Sequence, residues 1–172
     1  PNQVYTGKAI TPEVTVTFSG DTLHKNIDFG VTYANNINVG EADVMVKGKG
    51  DYKDFSNKTR FTIVTKNIAS AVIAEIYDQA YTGDAVPPAI TVTDDLSGLL
   101  YEGKDYTVSY SDNKNEGTAT VTITGTGNYS GSLTAEFQIV KMSGAEDFFS
   151  RMASAINSFF VKVGAFFKGI FT

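Results

Sequence analysis

The chain contains no cysteine and only one histidine, and each shortage excludes a class of chemistry. Without thiol groups there is no disulfide, no zinc–thiolate site and no cysteine nucleophile. Nucleophilic catalysis needs a base within reach of the nucleophile, and we interpret the single His24, in a polar stretch, as a surface residue. Clustered cations are lacking too, and a net charge of -5 argues against nucleic acid. We therefore expect no catalytic residue, no metal, no cofactor and no nucleic-acid partner.

The chain does contain one unit that is written twice. Gln-x-Tyr-Thr-Gly opens the first copy at 3–7 and the second at 79–83, and about two dozen positions are identical at an offset of 76 or 77 residues. Tandem units of this kind usually act as spacers or binding units rather than as one enzyme with one site. We therefore divide the chain into repeat 1 (1–66) and repeat 2 (67–141).

Both repeats have the residue pattern of short β-strands. Apolar and polar residues alternate within each predicted strand, and turn residues separate the strands about every 8–12 residues. The predicted strands are 13–18, 29–33, 42–46 and 59–64 in repeat 1, and 89–93, 106–110, 119–123 and 135–140 in repeat 2. Asn- and Gly-rich turns are predicted at 35–40 and 112–117. The pattern predicts a mainly β chain of two tandem β-sandwich modules.

Residues 67–74 are predicted to form the first strand of repeat 2. Repeat 1 has no counterpart of this strand, because the chain starts at the position equivalent to Tyr77. Two explanations remain open. Either the strand has been lost by truncation, which we favour, or repeat 1 has an open sheet edge that accepts a strand from another molecule.

The composition changes after residue 142, where an amphipathic helix is predicted over 143–172. A capping box at 143–146 starts it, and large apolar residues then recur at alternating spacings of four and three. The predicted apolar face consists of Phe149, Met152, Ile156, Phe159, Val163, Phe166 and Ile170. This face either packs on its own module, self-associates or lies in a membrane interface. A spanning helix is not expected, since charged residues interrupt the run.

Three motifs carry a resemblance to a known family. They are Tyr-Thr-Gly-Lys-Ala-Ile-Thr-Pro at 5–12, Lys-Asp-Tyr-Thr-Val-Ser-Tyr-Ser-Asp-Asn at 104–113 and Gly-Thr-Gly-Asn-Tyr-Ser-Gly at 125–131. Over about residues 1–140 the chain resembles the tandem immunoglobulin-like repeats of surface or secreted proteins of Gram-positive bacteria. The resemblance implies two immunoglobulin-like modules in an extracellular, non-catalytic structural or adhesion protein. Partners would then be other protein chains, or a second copy, held through the terminal helix.

Aromatic residues supply the candidates for ligand binding. Those shared by the repeats are interpreted as core or corner residues, namely Tyr5 and Tyr81, Tyr33 and Tyr110, Tyr52 and Tyr129, and Phe61 and Phe137. The unshared aromatics Phe18, Phe55, Tyr77 and Tyr101 are the better ligand candidates, and Tyr101 is preferred. Carbohydrate binding through these loop aromatics is the alternative function.

Acidic residues are interpreted as structural. Asp28 and Asp105 occur at matching positions, and we expect each to cap the turn before a strand. The pair Asp94–Asp95 has no acidic counterpart in repeat 1 and is expected to lie in a solvated loop. Residues 112–117 are interpreted as a turn rather than a calcium loop, because Lys114 stands where an oxygen ligand would be needed.

Overall fold

The structure, a computed structural model, describes residues 2–142 and Gly144. The predicted helix over 143–172 and the seven residues of its apolar face lie outside the described residues. Within 2–142, no helix has the length and apolar character needed to cross a membrane.

The described chain is mainly β, as predicted. The strands in repeat 1 and in residues 66–76, which we call the linker, are β1 Asn2–Val4, β2 Thr17–Phe18, β3 Asp21–Thr22, β4 Phe29–Ala34, β5 Gly40–Gly48, β6 Ser56–Val64, β7 Lys66–Asn67 and β8 Val72–Ile73. The remaining strands are β9 Gln79–Ala80, β10 Val92–Asp94, β11 Gly98–Leu100, β12 Tyr106–Ser111, β13 Gly117–Gly125, β14 Tyr129–Ser130 and β15 Ser132–Val140. Short 3₁₀ helices are formed by Gly50–Tyr52 and Ile68–Ser70.

Two four-stranded sheets repeat the same design. One has the order β1-β6-β5-β4 and the other the order β12-β13-β15-β9, so corresponding strands take corresponding places. In each sheet a short strand runs parallel to the long closing strand, β1 beside β6 and β9 beside β15. Alternation along β5 buries Ala42, Val44 and Val46, and the equivalent positions of β13 are also buried.

The predicted strands at 13–18 and 89–93 are shorter than expected. In repeat 1 only Thr17–Phe18 is strand, and it pairs with β3 alone; in repeat 2 the strand Val92–Asp94 lies between β11 and β8 in a three-stranded sheet. Strand β14 pairs with β7 in parallel. The main difference between the two hairpins is strand β8, which pairs with β10 and has no counterpart beside β2 among the described residues.

The predicted single strand at 67–74 is instead broken into β7, a 3₁₀ turn and β8. The side chain of Asn67 accepts a hydrogen bond from the Ala69 amide, and the Ser70 hydroxyl donates to the Asn67 carbonyl. Such local bonds between side chain and backbone compete with the strand ladder. Ile68, at the start of the turn, is fully buried.

The chain divides into two compact units, which are described separately. The first unit comprises the segments 2–73, 91–108 and 123–133, and it contains a core cluster of Leu23, Phe29 and Val46. The second comprises 74–90, 109–122 and the described residues from 134 onward. Its core cluster consists of Ala119, Phe137 and Ile139. The boundaries of the two repeats stay a sequence-based prediction.

Candidate functional site

The titratable residues singled out in the sequence serve the backbone. Asp28 accepts a hydrogen bond from the His24 amide, and Asp105 accepts one from the Tyr101 amide, which confirms the predicted turn caps. The His24 ring lies 3.3 Å from Asp28, but its side chain is 77% exposed. In the part of the chain that the structure describes, no three His, Cys, Asp or Glu side chains come close enough together to hold a metal ion.

Two of the four candidate ligand-binding aromatics each contact Tyr52. The ring of Phe18 meets the ring of Tyr52 edge-on, with centroids 5.6 Å apart, and the Phe55 amide donates to the Tyr52 carbonyl. Tyr101 instead has the ammonium of Lys104 5.9 Å from its ring centroid. Tyr77 is half-buried, whereas Phe18, Phe55 and Tyr101 are exposed.

The shared tyrosines of the corners are structural, as predicted. The Tyr33 hydroxyl donates to the Pro12 carbonyl, and the Tyr110 hydroxyl donates to the Pro88 carbonyl at 2.7 Å. One shared aromatic does not follow the prediction, because Tyr81 is 40% exposed. Its counterpart Tyr5 is buried, since its ring packs edge-on against Tyr129 in the first unit.

A polar cluster that the sequence patterns did not predict lies where the linker strand β7 meets the β10–β11 hairpin. The Lys66 ammonium lies 2.6 Å from Asp94 Oδ2 and 2.5 Å from Asp95 Oδ1. The Asp94 side chain is fully buried, so the solvated loop predicted for the acidic pair is wrong for Asp94; Asp95 is 72% exposed. We call Lys66, Asp94, Asp95, Ser97 and Tyr129 the linker cluster.

Hydrogen bonds hold Asp94 in place on its other side. Its Oδ1 accepts from the amides of Leu96 and Ser97 and from the Ser97 hydroxyl, each at 2.9 Å. The Ser97 hydroxyl also bonds to the hydroxyl of Tyr129. Asp94 Oδ1 therefore has three donors, whereas the buried Oδ2 relies on the ion pair with the Lys66 ammonium for its compensation.

The charges of the linker cluster stabilise each other. Burial alone would raise the pKa of Asp94, but hydrogen bonds from Lys66 and from two backbone amides outweigh it and lower the pKa from 3.8 to about 2. Burial alone would lower the pKa of Lys66, but the two carboxylates raise it above 10.5. Both groups therefore stay ionised at neutral pH, as a buried pair must to offset its desolvation.

Further contacts tie residues of repeat 1 to the same corner. A Cβ added to Gly7 would lie 2.6 Å from the Cβ of Ser97, so these two segments of the chain are in close contact. The side chain of Asn128 accepts from the Val39 amide at 2.9 Å and donates to Asn38 at 3.1 Å. These contacts, like the linker cluster, lie within the first compact unit.

A sequence signal for the linker cluster does exist. Phe18 occupies the position of Asp94 in repeat 2. Each is the last residue before its hairpin turn, where Phe18 pairs with Asp21 and Asp94 pairs with Gly98. The hairpin turn of repeat 2 is one residue longer, 95–97 against 19–20, so Ser97 has no counterpart. A departure from an otherwise close repeat marks a position with its own role.

Comparison with known proteins gives no family for this chain. No protein-family model matches it, and no curated protein matches it. The functional proposals therefore rest on the linker cluster and on the exposed residues Leu96, Leu99 and Tyr101.

Proposed function

We propose that the chain consists of two tandem immunoglobulin-like β-sandwich modules in a bacterial cell-surface or secreted protein, and that its role is structural or adhesive rather than catalytic. The matching orders of the two four-stranded sheets support the tandem architecture. The three motifs shared with immunoglobulin-like repeats support the extracellular setting.

The observation that carries the proposal is the buried ion pair of the linker cluster. Removing one partner of such a pair leaves an uncompensated buried charge, so the pair holds β7 against the β10 hairpin. Backbone pairing joins β7 to β14. A module that spaces or displays others needs a linker that does not swing freely. A catalytic role for these groups is disfavoured, because Lys66 stays protonated and Asp94 stays ionised near neutral pH.

Thermolysin digestion tests whether the cluster holds the linker. Thermolysin cleaves before large apolar residues, and Ile68 and Val72 offer it two sites once the linker opens. We expect Lys66→Met to make cleavage between 66 and 73 at least about tenfold faster, because local opening becomes less costly. The matched control is Lys58→Met, which removes an exposed ion pair to Asp43. Equal cleavage rates in both variants would contradict the proposal.

Residues 143–172 are proposed to form an amphipathic helix that attaches the modules to other chains, to a second copy or to a membrane surface. Size-exclusion chromatography with light scattering, on chains with and without these residues, measures self-association directly. A mass that falls to the monomer on deletion supports attachment between copies. A monomer in both cases removes that version, and flotation with liposomes then tests attachment to a membrane.

A second proposal, carbohydrate binding, is favoured by one feature of the β10–β11 hairpin. Leu96, Leu99 and Tyr101 are all about half exposed, at 46%, 50% and 56%. Leu99 and Tyr101 are two residues apart along extended chain, so they share a side. Binding on a glycan array that is lost in Tyr101→Ala and kept in the control Tyr81→Ala, which changes an exposed tyrosine outside the candidate set, would support this proposal. Binding that is unchanged in both variants would remove it.

A further inference from the structure

The turn that follows β11 in repeat 2, from Tyr101 to Asp105, has the same backbone as the turn that follows β3 in repeat 1, from His24 to Asp28. The Tyr101 amide donates to Asp105 Oδ2 at 3.0 Å, and the Tyr101 carbonyl accepts from the Asp105 amide at 2.8 Å. His24 and Asp28 form the same two hydrogen bonds, at 2.7 Å and 2.8 Å. The third residue of each turn has a positive φ, 79° in repeat 2 and 73° in repeat 1. The backbone therefore holds matching positions of the two turns in matching places.

The buried side chains of these two segments are alike, and the exposed ones are not. Leu100 and Asp105 are buried, and repeat 1 has a buried leucine and an aspartate in the same places. On the exposed side, repeat 2 has Leu99, Tyr101 and Lys104. The residues of repeat 1 at these three positions, all exposed, are Thr22, His24 and Ile27. The exposed side of the turn therefore has its own chemistry in repeat 2, on a backbone that the two repeats share.

The Lys104 ammonium is an exposed charge that is available to a ligand. It lies 5.9 Å from the centre of the Tyr101 ring, within the range of a cation–π contact. In the described part of the chain it forms no ion pair with a carboxylate, whereas Lys58 and Lys66 each do. Glu102 of the same turn is exposed too, and it forms no ion pair with Lys104. An anion that reaches this turn therefore meets a cation with no carboxylate bound to it.

The three exposed side chains of repeat 2 together offer apolar surface beside one positive charge. Leu99 and Tyr101 are about half exposed and lie on the same side of the extended chain. Ligand sites combine apolar surface with a few polar groups that fix the orientation of the ligand. A sugar ring has apolar C–H faces that suit Leu99 and Tyr101, and its hydroxyls stay hydrated on an open surface. A neutral sugar would leave Lys104 without a role, whereas a carboxylate on the sugar would pair with it.

We propose that Leu99, Tyr101 and Lys104 bind an acidic saccharide, which is a sugar that carries a carboxylate. The sugar ring packs on Leu99 and Tyr101, and its carboxylate pairs with the Lys104 ammonium. The hydrogen-bonded turn sets the distance between the aromatic ring and the charge, so the site exists before the ligand binds. This inference rests on the carbohydrate binding proposed above and names the class of carbohydrate. It is independent of the spacer role.

Matched pairs of glycans separate the need for a charge from carbohydrate binding itself. The array carries uronic acid and sialic acid oligosaccharides, each beside the same oligosaccharide with its carboxyl group converted to a methyl ester. We expect the full chain to bind an acid about fourfold more tightly than its ester, because an exposed ion pair adds a modest amount to affinity. The preference should vanish in about 1 M NaCl, where the Debye length falls to about 3 Å. NMR titration with the best pair measures both affinities, and amide shifts at 99–104 locate the site.

Two lysine variants make the test specific. Lys104→Met removes the charge and keeps an unbranched stem, so it should bind acid and ester equally well and keep the affinity for the ester. The matched control is Lys25→Met, which removes an exposed lysine from the equivalent turn of repeat 1 and should keep the preference for acids. A preference that survives Lys104→Met would overturn the inference. Equal binding of acids and esters by the parent chain would also overturn it but would leave carbohydrate binding in place, whereas no binding to any glycan would remove both.

Discussion

The β2–β3 hairpin of repeat 1 and the β10–β11 hairpin of repeat 2 come from the same sequence pattern but end in different surroundings. The second carries a third strand, a buried ion pair and a longer turn, whereas the first ends in the exposed Phe18 beside Tyr52. The two repeats therefore share the design of their four-stranded sheets and differ at their hairpins. Strand order is the same in both four-stranded sheets, and the differences lie at the hairpins and at the linker.

A physical reason lies behind this distribution. Interior positions of β5 and β13 face the same demand for close packing, so both strands have the same pattern of burial. The ends of the hairpins contact different segments, and a single different side chain changes which side chain can pack or pair there. Asp94 suits a lysine and Phe18 does not, although the backbones around them pair in the same way.

The largest effect is expected from Ile68, a fully buried residue of the linker. Ile68→Ala should lower the free energy of unfolding by about 3–4 kcal/mol, because a fully buried side chain is truncated and leaves a cavity. Urea titration followed by circular dichroism measures the loss. The control is Val72→Ala in the same linker, where the side chain is 64% exposed and the loss should be small. Equal losses would mean that the linker does not complete a core.

A glycine pair tests the contact between Gly7 and Ser97. Gly7 and Gly83 occupy matching positions with positive φ, at 74° and 84°, but an added Cβ meets Ser97 at 2.6 Å only in the case of Gly7. Each change to alanine costs about 1–2 kcal/mol for the left-handed backbone. We expect Gly7→Ala to cost about 1 kcal/mol more than Gly83→Ala because of the overlap with Ser97. Identical urea midpoints would show that this contact carries no weight.

The ion pair of the linker cluster predicts a pH dependence. Because the folded pKa of Asp94 is lowered from 3.8 to about 2, its contribution is present above pH 3.8 and is lost as pH falls toward 2. The contribution is about 2 kcal/mol. Asp94→Asn keeps an oxygen for the turn amides but loses the charge, so its deficit in unfolding free energy should shrink between pH 5 and 2. A deficit that is constant over this range would disprove the ion-pair account.

Much of the fold could be predicted from the sequence, because strand patterns are local. The predicted strands at 29–33, 42–46, 106–110 and 119–123 all lie within observed strands, and the turns at 35–40 and 112–117 are present. Local patterns failed at 67–74, where side chains bond to nearby backbone groups instead of leaving them to the strand ladder. The Asn67 side chain bonds the Ala69 amide, and the Ser70 hydroxyl bonds the Asn67 carbonyl. No periodicity signals such a break.

The linker cluster could not be predicted from one repeat alone, because its partners are far apart in sequence. Lys66 and Asp94 are joined only when the linker folds back on the hairpin. Their burial decides that they form a pair rather than a solvated loop, and burial depends on the whole fold. By contrast, Asp28 and Asp105 bond to amides four residues earlier, and such short-range partners are visible in the sequence.

The smallest loss of stability is expected from the tyrosine hydroxyls at the corners, and it should be equal in the two repeats. It tests whether the repeats are energetically alike where their hydrogen bonds are alike. Tyr33→Phe and Tyr110→Phe each remove a hydroxyl that bonds a proline carbonyl, to Pro12 and Pro88 respectively. Each change should cost about 1 kcal/mol of unfolding free energy, the ordinary net value of one hydrogen bond. The two hydroxyls bond different carbonyls, so the double variant should lose the sum of both. Unequal single losses in urea titration would show that the likeness of the repeats does not extend to these corners.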